Sequence, residues 1–336
     1  MFTPTTPEAL YQQSFRRVHQ LAVRLLRRAV PSRDAKLQAA LRLAFKDQSP
    51  TEYPYLFRNC FLGRHPGPSV VDTLAAAVHL IQTSTFVTDD VFDAARQRNG
   101  NPTVCAHAGV NGAIVAAHIL QSIGFSALAT AARDARLPNA GEAVATLAEA
   151  VTHVYRGQYL DMLHSSRLST SRADYYRVID LTTASLFAAV SRCGALLGGG
   201  RPSEILAMSR FASCYGMALQ ITDDILDVTD ESTGKTFGSD LKCRRMRLPL
   251  IIAMHKALPS DKATLRRFIK GGTRDARTIR MVARIIQRSG GVARALHVAR
   301  RYRAQSLWSL AEVRPGPAKD ALAWLPESLL AAQDLE

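Results

Sequence analysis

Two short acidic runs carry the residue types most able to do chemistry in this sequence. In TDDVFDAARQRNGNPT, Thr88 to Thr103, aspartates stand at Asp89, Asp90 and Asp93. Asp89 and Asp93 are four apart, so on a helix they share one face, a turn apart. Two carboxylates that close repel each other unless something doubly positive sits between them. Hard divalent cations such as Mg²⁺ prefer oxygen ligands and commonly bridge carboxylates to a substrate's phosphates. Arg96 and Arg98 add positive charge just beyond, and Gly100 and Pro102 predict that the helix ends there.

A second run of the same form lies far downstream. QITDDILD places Asp223, Asp224 and Asp227 on one face, followed by Gly234, Lys235, Gly238, Asp240 and Leu248-Pro249. One acidic triplet is ordinarily a solvated face. Two DDxxD triplets, each leaving an apolar helix and each followed by basic and glycine residues, point to metal-assisted handling of phosphate. If the two helices face each other across a cavity, carboxylates stand at its rim and apolar side chains line its depth. Such a cavity suits a polyanionic head on a greasy tail. Mg²⁺ ions held by Asp89, Asp93 and Asp223, with donors from Arg98 and Lys235, would spread the charge of a departing diphosphate. An allylic tail would leave a resonance-stabilised cation, which a dry pocket shields from water.

Helices must carry these residues. Alanine and leucine are abundant and aromatics few, and no alternating Val/Ile/Thr runs bounded by turns predict strands. The spacing predicts helices over 8–30, 34–46, 55–62, 70–95, 106–128, 139–163, 171–197 and 202–227. Further helices follow over 250–258, 262–270, 278–288 and 291–313, with one more after Pro315 and Pro317. The expectation is an all-α, single-domain bundle: N-terminal helices over 1–47, a catalytic core over 48–313 and a tail helix over 314–336.

The charge of +15 raises nucleic-acid binding as a possibility. The arginines, however, are interleaved with apolar residues at helical spacing, and no zinc-finger spacing or glycine-arginine tract accompanies them; no nucleic-acid partner is expected. Five scattered cysteines without a CxxC read as reduced thiols in a cytoplasmic protein. No uninterrupted apolar run reaches the length of a membrane span, so none is expected. His79 and His153 read as packed or surface histidines, and Tyr155, Phe187, Phe211 and Met217 as core.

The two acidic regions, TDDVFDAARQRNGNPT and QITDDILD with GKTFGSDL and LPLI behind it, resemble the aspartate-rich regions of trans-isoprenyl diphosphate synthases. The resemblance runs from about Gln48 to about Tyr302. It implies an isoprenoid synthase fold of helices around a central cavity, a homodimer, an allylic isoprenyl diphosphate substrate and three Mg²⁺ ions. Carried over, it makes Asp89 and Asp93 ligands of two ions and Asp223 of the third, with Asp90, Asp224 and Asp227 in support. Arg98 and Lys235 would grip the allylic diphosphate, and Gln220 would lie near the reacting carbons.

The departures are selective. The family's basic GGKRxRP motif is QSPTEYP here, ending on Pro54. Its histidine seven residues before the first aspartate is Gln82, and the second arginine of its arginine pair is Asn99. A lysine of the allylic site is replaced by Thr182, and a later lysine by Arg245. The groups lost at the motif, Gln82 and Asn99 would hold the diphosphate of isopentenyl diphosphate. Each charge-assisted contact is worth roughly 1.5–3 kcal/mol, so losing several weakens that binding by orders of magnitude.

The first reading is therefore a class I terpene synthase that ionises a C15 or C20 allylic diphosphate and lets the cation cyclise or be quenched. Small residues before the first aspartates, Ser84 and Thr85, suggest the longer tails. The second is a prenyltransferase, using isopentenyl diphosphate through compensating arginines such as Arg58 or Arg64, or an acceptor without a diphosphate. The third is a non-catalytic partner subunit of a prenyl synthase.

Overall fold

A computed structural model describes residues 6–31, 33–46, 48, 50–62, 66–229 and 237–331. Its helices are α1 (Pro7–Ala29), α2 (Ala35–Leu43), α3 (Glu52–Cys60), α4 (Pro68–Phe92), α5 (Val104–Asp134), α6 (Ala140–His164), α7 (Arg172–Ile179), α8 (Ser185–Leu197) and α9 (Pro202–Thr229). They continue with α10 (Ser239–Lys242), α11 (Leu248–Lys256), α12 (Pro259–Lys270), α13 (Ala276–Arg288), α14 (Gly291–Ser309) and α15 (Pro317–Ala331). A two-residue hairpin, β1 (Gln97–Arg98) and β2 (Asn101–Pro102), is the one departure from all-α among the described residues.

Local signals account for many of the helix ends. Thr6 caps α1, its Oγ1 accepting from Ala9 N at 3.3 Å, with Pro7 first in the helix and Arg27 and Arg28 in its last turn. Ser171 and Asp174 form a reciprocal capping box on α7. Between α7 and α8, where one continuous helix is expected, Asp180–Ala184 winds as a π-helix. Such insertions displace the register of one turn and often mark functional sites. Helix α5 is kinked at Gly109 (φ 74°, ψ 172°), which only glycine adopts easily.

The residues group into two compact units. The first comprises the described parts of Met1–Val151, Phe187–Arg210 and Ser309–Leu325. Here α4, buried almost all round, packs on α5, α1 and α3. Gly124 of α5 permits the closest approach: a Cβ there would stand 2.6 Å from Ile81 Cγ1 and 2.9 Å from Ala77 O of α4. Trp324 of α15 closes on Tyr11 of α1 and Tyr55 of α3, at ring distances of 5.5 and 6.2 Å. Arg314 forks onto the buried carboxylate of Glu204, both contacts at 2.6 Å.

The second unit comprises the described parts of Thr152–Leu186, Phe211–Trp308 and Pro326–Glu336. Its core joins Tyr175 and Ile179 of α7, Ile221 and Ile225 of α9, the apolar run Leu248–Ala253 of α11, and Ile279, Val282 and Ile286 of α13. α13 buries those residues and turns its arginines outward, the stripe expected of an amphipathic helix.

No membrane span was expected from the uninterrupted apolar runs. By length and composition, however, Pro68–Phe92, Val104–Asp134 and Arg172–Leu197 are each apolar enough to cross a membrane. Core formation accounts for two of them, whose apolar windows are 83% and 61% buried in the protein, while that of α5 is 33% buried.

Candidate active site

The first acidic triplet sits where α4 ends. Asp89 and Asp90 lie in its last turn and Asp93 caps it (φ −85°, ψ −5°). The chain then turns back through the hairpin, in which Arg98 pairs with Asn101. Positive φ at both central residues, Asn99 (51°) and Gly100 (76°), is the type I′ pattern that favours Asn-Gly. That requirement gives a local reason for asparagine at position 99. It also brings Arg98 back over the helix end. Arg98 Nη2 lies 3.3 Å from Asp89 Oδ2 and 2.9 Å from Asp90 Oδ1, and Nε donates to Asp90 Oδ1 at 3.0 Å. The guanidinium also rests 4.9 Å from the centre of the Phe86 ring. Burial works against charge on Arg98, yet Asp90 and Asp89 raise its pKa above the ordinary value. Asp90, itself buried, is pushed up by desolvation in spite of Arg98.

Within the same unit lie residues of the changed acceptor region. Thr51 Oγ1 is 3.4 Å from Gln82 Oε1, and His79 Nδ1 is 3.2 Å from that oxygen. Gln48 Nε2 reaches Thr83 Oγ1 at 3.4 Å. Gln82 and His79 are fully buried, and desolvation, aided by nearby His19, lowers the His79 pKa to about 3. At neutral pH this cluster is uncharged. Arg58, considered above as a compensating cation, is instead bound to the buried Asp72, which Arg17 also engages at 2.9 Å. Arg64, the other such cation, falls outside the described residues.

The second triplet lies in the last turns of α9, within the second unit. Tyr175 Oη donates to Asp224 Oδ2 at 2.6 Å, and Gln220 Nε2 to Asp224 Oδ1 at 3.0 Å. Thr183 Oγ1 in turn donates to Gln220 Oε1 at 2.9 Å, so the amide is held at both ends. Asp227 accepts from Ser239 Oγ at 2.7 Å and from Asp240 N at 3.2 Å. Burial is the largest cause raising both Asp224 and Asp227, with the charge of Asp240 adding to it. Asp223 is half-buried beside them.

Arg245 and Arg247 reach across to Asp161 of α6. Arg245 Nη1 donates to Asp161 Oδ2, while Arg247 donates to Asp161 Oδ1 at 3.1 Å and to Asp240 Oδ1 at 3.2 Å. Arg247 Nε is 3.7 Å from Asp224 Oδ1. Burial opposes its charge, but Asp161, Asp240 and Asp224 together raise its pKa well above the ordinary value. Thr182 lies in the π-helix, its Oγ1 donating to Val178 O at 3.0 Å. Gly157 of α6 makes room for it: a Cβ there would stand 2.7 Å from Thr182 Cγ2. Lys235 and Gly234 fall outside the described residues.

The structure thus gathers Asp89, Asp90 and Arg98 in one unit, and Gln220, Asp224, Asp227 and Arg245 in the other. Sequence reasoning missed Asp161, Tyr175, Asp240 and Arg247 as parts of the network. A signal existed for Asp161, a lone carboxylate one helical turn after Gly157, and for Arg247 in the basic run CRRMR. Tyr175 gave none.

Among the described residues, no three His, Cys, Asp or Glu side chains converge closely enough to hold a metal ion. Mg²⁺ does not require such a cage, since it keeps several waters and binds through one or two carboxylates plus substrate phosphates. The half-buried, all-oxygen donors Asp89, Asp93 and Asp223 fit it in type.

Residues 56–286 match the family model described as polyprenyl synthetase. The chain is 32% identical to a short chain isoprenyl diphosphate synthase of Methanothermobacter thermautotrophicus, over 80% of this chain and 81% of that one. It is 33% identical to a nonaprenyl diphosphate synthase of Mycobacterium tuberculosis, over 79% and 77%. Among solved structures, a decaprenyl diphosphate synthase from Rhodobacter capsulatus superposes with a TM-score of 0.86 at 24% identity, covering 97% of this chain and 99% of that one. The all-α isoprenoid synthase fold is therefore the fold of this chain. The chain belongs to the polyprenyl synthetase family and is a prenyltransferase-type enzyme.

Proposed function

We propose that this enzyme is a magnesium-dependent prenyltransferase that ionises an allylic isoprenyl diphosphate and extends the prenyl chain with isopentenyl diphosphate. The observation that carries this reading is the naming of the relatives, which are prenyl diphosphate synthases over about four-fifths of the chain. It reverses the order expected from the residues alone, which placed internal cyclisation first. A homodimer fits the apolar residues that α5 leaves exposed, Val110, Ile114 and Val115. The five free cysteines accord with a reducing, cytoplasmic setting.

In this reading Asp89 and Asp93 would hold Mg²⁺, Asp223 would hold a further ion, and Asp90, Asp224 and Asp227 would support them. Bound Mg²⁺ supplies charge neutralisation for the diphosphate as it leaves. Arg98, which now bridges Asp89 and Asp90, would donate to a phosphate oxygen, and Lys235 would add a second cation. Tyr175 and Arg247 keep Asp224 placed, and Gln220, pinned by Thr183, is fixed where the reacting carbons would lie.

A second reading, ionisation followed by cyclisation or quenching, is favoured by the uncharged Thr51–Gln82–His79 cluster. One experiment separates the two. Purified protein with Mg²⁺ is given geranyl, farnesyl or geranylgeranyl diphosphate, each with and without isopentenyl diphosphate. Longer diphosphates formed only with both substrates support chain extension. A hydrocarbon or alcohol from the allylic substrate alone overturns it in favour of the second reading.

A further inference from the structure

The positive charge of this chain is unevenly placed. Residues 259–303 carry thirteen Lys and Arg against two Asp, a net +11 of the chain's total of +15. The second unit holds a cavity of about 380 Å³, to which this stretch contributes Arg266 and Lys270. Leu168, Met246, Ile251 and Met254 supply its apolar lining, the guanidinium of Arg266 and the ammonium of Lys270 supply the cationic side, and the His255 ring lies in the same lining. Met246 and Ile251 are buried, whereas the three basic side chains are exposed. Arg266 and Lys270 are four apart on α12, so they share a face and repel each other. No carboxylate among the described residues lines the cavity. Its volume is within the range of small-molecule sites. Two of its apolar residues are methionines, whose flexible thioethers adapt to irregular chains.

We infer that this cavity between α11 and α12 is a second binding site, for an anionic amphiphile: a phosphate or carboxylate head against Arg266, Lys270 and His255, with an apolar chain over Met246, Ile251 and Met254. Met246 also gives the site a route to the chemistry. It stands between Arg245 and Arg247, whose side chains hold Asp161 and Asp240. A chain seated on Met246 therefore bears on the arginines that frame the second aspartate region. The inference does not rest on which reaction the enzyme catalyses.

The head could belong to a free amphiphile or to a lipid in a bilayer, and the test distinguishes them. Octyl phosphate, kept below its micellar concentration, is titrated calorimetrically into the protein without Mg²⁺, with inorganic phosphate and octanol as single-feature probes. Saturable octyl phosphate binding is expected, at least tenfold tighter than either probe. It should weaken at least tenfold in Arg266→Glu/Lys270→Glu and remain unchanged in Arg277→Glu/Arg284→Glu, an equal charge reversal on the exposed face of α13. Met254→Asp, which keeps the cations and spoils the apolar lining, should also lose binding. Sedimentation with phosphatidylglycerol vesicles, competed by octyl phosphate and lost in the α12 variant, assigns the site to bilayer lipid. Octyl phosphate binding without vesicle binding assigns it to a free amphiphile. Equal weakening by the α12 and α13 reversals, or inorganic phosphate binding as tightly as octyl phosphate, overturns the inference.

Discussion

Replacing Arg247 by methionine is the sharpest test of how the second aspartate region is held. The side chain is 13% exposed and makes two charge-assisted hydrogen bonds, to Asp161 at 3.1 Å and Asp240 at 3.2 Å. Each such bond contributes about 1.5–3 kcal/mol. Removing one member of a buried ion pair, which strands the other charge, costs about 3–5 kcal/mol. Arg245 still compensates Asp161, so the loss belongs at the low end, about 3 kcal/mol. Methionine matches the length of the arginine stem, which isolates charge from packing. Arg247→Lys keeps the charge but cannot fork across two carboxylates, and about half that loss is expected. The measurement is urea denaturation followed by circular dichroism, with hydrogen exchange on peptides spanning 155–180 and 218–250. An internal control is Arg133→Met, whose partner Asp134 is exposed, as is Arg133 itself; that change should cost less than about 1 kcal/mol. Should Arg247→Met lie within about 1 kcal/mol of the parent, or no further from it than Arg133→Met, the network would not be the frame described.

Other expectations follow from the same contacts. His79 is neutral and buried, its pKa lowered from 6.5 to about 3. The unfolded chain therefore takes up a proton that the folded chain refuses. The associated stability is complete above pH 6.5 and falls as the pH drops, by about 3 kcal/mol at pH 4.5; His79→Gln should flatten that slope in acid denaturation, and an unchanged slope refutes the assignment. Gly157→Ala would drive a Cβ to 2.9 Å from Thr182 N, a backbone atom. It should destabilise by about 1–3 kcal/mol and lower kcat by disturbing the Thr183–Gln220 link, whereas normal thermal stability and turnover would show that α6 has slack there. Asp89→Asn and Asp223→Asn should each abolish diphosphate release, scored by phosphate assay after pyrophosphatase, with the fold intact by circular dichroism. Gln82→His should lower KM for isopentenyl diphosphate about tenfold or more if that substrate is used, since one charge-assisted contact is regained; a KM that does not move means the acceptor's anion lies elsewhere.

Much of the fold was legible because its helices announce themselves through periodicity and punctuation. Pro7, Pro68, Pro202 and Pro259 open helices, and the outward arginines of α13 alternate with its buried isoleucines. The π-helix at Asp180–Ala184 was not legible. It packs closely against Gly157, a residue of another helix, and no local residue choice in DLTTA announces it. The hairpin after Asp93 was missed for a different reason. Gly100 and Pro102 taken as breakers end the helix but give no strand, whereas Asn99-Gly100 is itself a strong short turn signal. Three apolar helices passed the test for uninterrupted runs yet carry span-like hydropathy overall, because scattered Thr, Ser and His break the runs without making the windows polar.

At the site, the aspartates were legible by type and spacing, but what holds them was not. Spacing says that Asp223, Asp224 and Asp227 share a face. It cannot say that Asp224 is the buried member, fastened by Tyr175 from forty-nine residues upstream. The same limit explains why Arg58 looked available. Read as sequence it is a cation near a vacated motif; in three dimensions the buried carboxylate of Asp72 claims it. The consequence bears on the acceptor. With Arg58 committed, Asn99 held in a turn that demands positive φ, and His79 kept uncharged by burial, none of these three side chains offers a positive charge beside Thr51 and Gln82. If the enzyme extends chains as proposed, Mg²⁺ or cations elsewhere would have to hold the second diphosphate, which predicts a KM for isopentenyl diphosphate that rises steeply as Mg²⁺ is lowered. A KM independent of Mg²⁺, measured with the allylic substrate saturating at each concentration, would show that protein cations still grip that anion.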